Sequence, residues 1–452
     1  MRHENSVFHS ILKHVPWAEF DRLVGEHGAD ALVRRLTTKS QFVALVYGQL
    51  AGASSLRQLE SELASHDVRL YHVGAKPVRR STLSDANAQR PSAVFSELFA
   101  RMIKQAHRGL RRKVADTTYL IDSTSVRLNG LNQWARYSAG VCGAKVHVIY
   151  DPDADRPIYA AVSTTKVNDI KPAQTMPIER GATYVFDLGY YDYAWWAKLD
   201  SVGCRIVTRF KSNTPLTLLR DLPLPKGSTI LSDRIGFLPA RQAKSRRNPL
   251  GDAVREVRVK TETGKVLRIL SNDLDATAQE IADLYKRRWA IELFFRWIKQ
   301  VLKITRFLGT SENAVRIQIA CALITFLLLR LAQATQKAIT SPLAFARLVR
   351  TNLMHRRRLD RLLETEPTPQ FNTDQMAQYR SNGPPMELRD QPDSRGTSPS
   401  MTRMGAAVGH SVAGQPACPS KLVDGRPSPT MTAGRARLAR CNGSTAGTKA
   451  RP

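Results

Sequence analysis

The stretch TYLIDSTSVRL, Thr118 to Leu128, places the tightest constraint on the fold. Its β-branched and aromatic residues read as a strand, yet Asp122 interrupts the centre, flanked by Tyr119, Leu120, Ile121 and Val126. An ionised carboxylate in a buried strand is costly unless it is paired or bound to metal. A second apolar strand pattern, TYVFDLGYYD, ends at Asp187, where Gly189 permits a tight turn. A chain with both must build a sheet and bring compensating positive charge to two of its strands.

The intervening sequence supplies the rest of that sheet. AKVHVIYDP and RPIYAAVST are separated by Asp153-Ala154-Asp155, a hairpin turn. A helix starts near Asn168-Asp169, YAWWAKLDSVG reads as another helix, and CRIVTRFKS as a further strand. Three strands, helix, strand, helix, strand is the signature of a mixed α/β layer. Upstream, from Val7 to about His107, apolar residues recur at helical spacing, as in FDRLVGEH, KSQFVALVYGQLAG and SLRQLESELASH, the last capped by Ser55. Downstream, Pro and Gly break residues 213–272 into short strands such as STILSDRIGFL, VREVRVKTE and KVLRILSN, with a mobile basic loop RQAKSRRN at 241–248. Beyond about Pro367 the periodicity stops, and Pro, Gly, Ser, Thr and Arg predominate, a composition that predicts disorder. That tail reads as an out-of-frame or readthrough extension. The expected organisation is a helical N-terminal region (1–112), an α/β core (113–212 and 273–366) ending in C-terminal helices, a β-rich insertion (213–272) and the tail (367–452).

Charge narrows the partner. Lys and Arg number 68 against 39 acids, a net +29, most of it before Phe371. Such an excess points to a polyanion, nucleic acid ahead of an anionic membrane. The most apolar run, Ile317 to Leu329, lies between Arg316 and Arg330 and contains Gln318. It falls short of the ~18–20 residues of a membrane span and is expected to be a buried core helix. MRHENSVFHS has no apolar signal region. Five scattered cysteines without a CxxC argue for a reducing cytosol and against structural zinc. Lys76, Arg79 and Arg80 open a short polar helix, Ser81 to Arg90, patterned like a recognition helix whose N-terminal end faces phosphates; a solvated connector helix is the competing reading.

The third carboxylate stands in LYKRRWAIELFFRWIKQ, Leu284 to Gln300, a helix opened by a capping box at Thr277 and Glu280. On one continuous helix of about 100° per residue, Tyr285, Arg288, Arg296 and Lys299 fall within roughly 40° of Glu292. Trp289, Leu293, Phe294 and Trp297 fall mostly elsewhere, available for packing. Glu292 alone would be an ordinary partner of Arg288 and Arg296 at i,i±4. With Asp122 and Asp187 it completes a set of hard oxygen ligands on rigid elements. That set suits two Mg²⁺ or Mn²⁺ ions roughly 3.5–4 Å apart. His147 reads as a packed core residue. Asp151, Asp153, Asp155 and Asp169 read as turn and cap residues, Asp169 being the hardest to discard.

Tyr285-x2-Arg288-x3-Glu292-x6-Lys299 resembles the Tyr-Arg-Glu-Lys motif of DDE transposases in the insertion sequence 4 family, with Asp122 and Asp187 where that family carries its two catalytic aspartates. The resemblance spans roughly residues 1–365. It implies a ribonuclease-H-like α/β core split by a β-strand insertion, and cut-and-paste DNA transposition by a homodimer acting on terminal inverted repeats and target DNA. It also implies a bacterial, nucleoid-associated cytoplasmic protein with no membrane partner, catalytic and metal-binding Asp122, Asp187 and Glu292, and phosphate contacts from Tyr285, Arg288 and Lys299. Some relatives form a DNA hairpin and stack a flipped base on a Trp of the insertion. Residues 213–272 contain no Trp, and Phe237 is their only aromatic; Trp289 is the alternative DNA-stacking residue. A generic two-metal nuclease and a catalytically silent DNA-binding derivative are the competing functions.

Overall fold

In the computed structural model of the protein the described residues are 5–107, 117–224, 227–243, 245–302, 304 and 306–364. They belong to one compact unit, Met1–Thr368. The expected disordered tail lies outside the described residues.

The N-terminal third is helical: α1 (Val7–Leu12), α2 (Trp17–Glu26), α3 (Thr38–Ala51), α4 (Leu56–Ser65), α5 (Asp67–Leu70), α6 (Arg80–Gln89) and α7 (Ala93–His107). Ser55 caps α4 as its position indicates, accepting from the Gln58 N–H at 3.1 Å. A cap of this kind contributes about 1 kcal/mol.

The sheet begins with β1 (Thr118–Leu128), β2 (Arg136–Ser138), β3 (Val141–Asp151) and β4 (Arg156–Thr164). The β3–β4 hairpin turns where Asp151 Oδ1 accepts from the N–H groups of Asp153 and Ala154, at 3.0 and 2.9 Å. Next come α8 (Ile170–Thr175), β5 (Thr183–Phe186), α9 (Tyr193–Ser201) and β6 (Arg205–Arg209). β3 is antiparallel to β1 and β4, whereas β1, β5 and β6 run parallel.

Residues 213–272 supply β7 (Thr217–Asp221), β8 (Ile230–Phe237), β9 (Arg241–Ala243), β10 (Arg246–Arg247), β11 (Val254–Lys260) and β12 (Val266–Ser271). Four of them extend the same sheet: β12 pairs with β6, and the order continues β12–β11–β8–β7. The segment expected as a mobile basic loop instead contains the paired strands β9 and β10. Its base is tied down: the Gln242 amide donates to the Tyr191 carbonyl and accepts from the Tyr193 N–H, both at 2.9 Å.

The single helix expected over Leu284–Gln300 is two. α10 (Ala278–Arg287) and α11 (Trp289–Val301) meet at Arg288, which keeps helical dihedrals (φ −52°, ψ −29°). The helix tightens there, with three-residue bonds from the Arg288 N–H to the Tyr285 carbonyl and from the Ile291 N–H to the Arg288 carbonyl. Thr277 caps α10 through the Glu280 N–H at 3.2 Å, but the Glu280 carboxylate turns to Arg205 at 2.7 Å, so the box is half made. α10 packs across β5, β6, β11 and β12, and α11 reaches β1.

α12 (Glu312–Ala334) contains the apolar run. It is long and apolar enough to cross a membrane by composition, yet 83% of its most apolar stretch is buried. Its partners are α1, α3, α6 and α7 of the N-terminal third, with α13 (Pro342–Thr351) beside it. One hydrophobic core therefore runs from Val7 to Leu362, and the N-terminal helices share it with the C-terminal ones. The N–H groups of Val7 and Phe8 donate to the carbonyls of His355 and Leu353 at 3.0 and 2.8 Å, closing the unit on itself.

Candidate active site

Parallel pairing of β1 with β5 fixes the first two carboxylates. Ile121 faces Phe186 across the ladder, so Asp122, within β1 where its parallel pairing stops, and Asp187, just past the end of β5, lie side by side. Side chains there meet the carboxyl ends of parallel strands, where open α/β sheets bind ligands. Asp187 ends β5 and is held by the Gly189 N–H on its Oδ1 at 2.8 Å. Asp122 is held by the Ser123 N–H on its Oδ1 at 2.7 Å.

Helix α11 brings the third. Arg288 lies between Asp122 and Glu292: its guanidinium is 3.4 Å from Asp122 Oδ2 and donates to Glu292 Oε1 at 2.5 Å. Both Asp122 and Arg288 are more than four-fifths shielded from solvent. The Tyr285 ring lies 5.8 Å from the same guanidinium and is buried. Burial pushes the Asp122 carboxyl up to about 6, with the negative charges of Asp187 and Glu292 adding to the shift and the Ser123 N–H and Arg288 opposing it. Burial also raises the Tyr285 phenol, against Arg288 and Arg209.

The predicted residues are thus largely assembled. Asp122, Asp187, Glu292, Arg288 and Tyr285 come together, although helix continuity holds only as far as Arg288. Lys299 is half-buried on α11, about 10 Å along the axis from Glu292, and burial lowers its pKa. Trp289 and Leu293 do not pack as expected. They are 51% and 47% exposed, and Arg296 lies over the Trp289 ring at 6.0 Å. Phe294, by contrast, is buried against Tyr150 and Phe326. Arg79 and Arg80 stand apart from this cluster, exposed at the start of α6, with Arg79 3.6 Å from Glu60. The inner face of α6 is committed to the core: Leu83, Ala86 and Asn87 are buried, and Asn87 accepts from Gln41 at 2.8 Å. His147 is wholly buried, as expected.

Metal binding can be weighed from the donor set. Asp122 and Glu292 share the Arg288 guanidinium and Asp187 lies near Asp122, leaving an excess of negative charge that a divalent cation would neutralise, and oxygen donors are what Mg²⁺ and Mn²⁺ prefer. Among the described residues no three His, Cys, Asp or Glu side chains already close as a ligand shell; Arg288 holds the positive charge at that point. The donor types suit a hard divalent ion, whose binding would require Arg288 to leave Asp122 and Glu292.

Comparison with known proteins gives the family. A family model described as "Transposase DDE domain" matches residues 114–328, and one described as a domain of unknown function matches residues 3–76. A protein of Sinorhizobium fredii named as a transposase is 41% identical over 61% of this chain and 77% of its own length. The chain belongs to the DDE transposases. Another relative, named as a transposase for an insertion sequence element of Geobacillus stearothermophilus, is 31% identical over 60% of this chain and 72% of its own. The cryo-EM structure of a piggyBac transposase synaptic complex with hairpin DNA aligns at a TM-score of 0.41 and 14% identity, over 87% of this chain and 88% of that one. As a DDE transposase the protein is a DNA-acting enzyme of a family that generally uses divalent metals.

Sequence reasoning passed over Ser123 and Lys145, read Gly189 only as a turn residue, and left Asp169 among the turn and cap residues as the hardest of them to discard. Asp169 accepts from the Ser123 hydroxyl at 2.7 Å and pairs with Lys145 at 3.1 Å. The only signal in the chain is an acid at a helix start, which ordinarily indicates capping.

Proposed function

We propose that the transposase cuts and pastes DNA, cleaving strands at terminal inverted repeats and transferring them to target DNA. Asp122, Asp187 and Glu292 would hold two Mg²⁺ or Mn²⁺ ions, which supply an activated water or 3′-hydroxyl and stabilise the leaving oxygen. Tyr285, Arg288 and Lys299 would bind phosphates of the cleaved end, and Trp289 would stack on a base beside them. Arg79 and Arg80 would contact DNA further out, and two copies of the chain would act together on paired ends. The core would be ribonuclease-H-like, in keeping with an antiparallel β4–β3–β1 set followed by parallel β5 and β6. Membership of the insertion sequence 4 group is compatible with the Tyr-Arg-Glu-Lys spacing.

The observation that carries this reading is that Arg288 bridges Asp122 of β1 and Glu292 of α11 while Asp187, just past β5, lies beside Asp122. Asp122→Ala, Asp187→Ala and Glu292→Ala should each abolish metal-dependent cleavage of a duplex bearing the element end while leaving duplex binding intact. Cleavage at wild-type rate in any one of them removes that residue from the machinery.

One observation favours a second reading. Arg288 bridges Asp122 and Glu292, an arrangement a catalytically silent DNA-binding derivative could keep permanently. Under that reading the wild-type chain binds element ends but shows no cleavage at any Mg²⁺ or Mn²⁺ concentration.

A further inference from the structure

Asp169 precedes α8 but makes no side-chain cap to it. Its carboxylate turns back to the sheet instead. Oδ1 accepts from Ser123 Oγ at 2.7 Å, and Lys145 Nζ donates to Oδ1 and Oδ2 at 3.1 and 3.2 Å. Ser123 therefore serves two carboxylates, its N–H holding Asp122 and its hydroxyl donating to Asp169.

The other oxygen of Asp169 lies near Gly189, beside the second aspartate. A Cβ placed on Gly189 would lie 3.0 Å from Asp187 Oδ1, a tight approach, and 3.5 Å from Asp169 Oδ2, an ordinary contact. Gly189 is also the residue whose N–H holds Asp187. Asp169 thus borders both backbone donors that orient the strand-borne aspartates. A second feature is directed at the same place. His147 is wholly buried, its Nε2 lies 2.8 Å from Ser163 Oγ, and its Nδ1 has no hydrogen-bond partner and lies 3.6 Å from Asp169 Oδ1. Because Lys145 neutralises Asp169, the cluster adds no net charge beside carboxylates that must attract a cation.

We propose that Asp169 is a positioning residue for the metal-binding carboxylates. Paired with Lys145, it fixes Ser123 on one side and borders Gly189 on the other, so that Asp122 and Asp187 present their oxygens together. This inference rests on Asp122 and Asp187 being metal ligands. Outer partners of metal-ligating carboxylates typically change metal affinity by about 10- to 100-fold when removed.

The test is a titration of the full chain with Mn²⁺ alone, reading the free ion by electron paramagnetic resonance. Asp169→Asn and Ser123→Ala should each weaken Mn²⁺ binding by roughly 10- to 100-fold, with melting temperature and duplex affinity unchanged. Excess Mn²⁺ should restore cleavage in Asp169→Asn but not in Asp122→Asn. Wild-type Mn²⁺ affinity in Asp169→Asn overturns the positioning role. Wild-type affinity in Asp122→Asn instead overturns the metal-site assignment beneath it. If Asp169→Asn unfolds because Lys145 loses its partner, Ser123→Ala decides, since it keeps that pair; unchanged affinity there overturns the proposal.

Discussion

At the scale of the residue, Asp122 is held where its charge is unfavourable. Burial, with the negative charges of Asp187 and Glu292 nearby, pushes its carboxyl up from 3.8 to about 6. The folded chain therefore binds a proton more tightly than the unfolded one between those values. This contribution to stability is fully present below about pH 4 and is lost as pH rises through about 6. A shift of that size corresponds to at most about 3 kcal/mol. Asp122→Asn removes the titration, and in EDTA its melting temperature should gain on wild type as pH rises from 4 to 8. Loss of the Arg288 ion pair offsets part of the gain without changing its sign. A gap between the two proteins that does not vary with pH would show that Asp122 is not strained. With a divalent cation bound, the wild-type disadvantage should shrink.

At the scale of the element, the outer and inner faces of α11 should respond oppositely to truncation. Trp289 is half exposed and Phe294 is buried among Tyr150, Phe295 and Phe326. Phe294→Ala should cost about 3–5 kcal/mol in denaturant unfolding. Trp289→Ala should leave stability within about 0.5 kcal/mol but weaken element-end binding by about 1–3 kcal/mol, the worth of one stacked base. Equal binding by Trp289→Ala and wild type would end the stacking role. A third change tests whether residues 213–272 are integral to the sheet. Arg255 and Asp233 form a buried two-bonded pair between β11 and β8, at 2.8 and 2.7 Å. Arg255→Met should destabilise the whole unit by about 3–5 kcal/mol, because it leaves Asp233 charged and unpaired. A loss confined to a separate, earlier unfolding step would mean that these strands fold independently. Elements with local signals were legible in the sequence: Ser55 and Thr277 as caps, the Asp151–Asp155 turn, and strands carrying Asp122 and Asp187. The break at Arg288 was not, because no Pro, Gly or cap residue marks it and its tightened turn arises as α10 crosses the sheet and α11 reaches β1. Nor was the continuation of the sheet from β6 into β12, since periodicity reveals a strand but not its partner. Asp169 misled because a helix start ordinarily explains an acid there, and only the fold reveals Lys145 and Ser123 in front of it.

At the scale of the whole molecule, helices far apart in sequence share one core while the excess positive charge is spread along the chain. α12 sits among α1, α3, α6 and α7, and the Arg350 guanidinium donates to the Leu50 and Val301 carbonyls at 2.8 and 2.5 Å. The compact unit ends at Thr368 and its core closes at Leu362, so truncation after Thr368 should leave melting temperature and cleavage unchanged. Electrostatics carry the prediction further. Each phosphate neutralised on duplex DNA contributes about −0.9 to the slope of log affinity against log salt. A surface making six to ten such contacts would lose roughly 10³- to 10⁵-fold in affinity between 50 and 200 mM salt. Most of the +29 precedes Phe371, so the truncated chain should keep the slope of the full one within about one contact. A slope that collapses on truncation would assign DNA affinity to residues after Thr368 instead. If the slope persists and Arg79→Ala with Arg80→Ala reduces it by about two phosphates' worth, the start of α6 contacts DNA; an unchanged slope in that double variant makes α6 a connector, as its buried Leu83, Ala86 and Asn87 would equally allow.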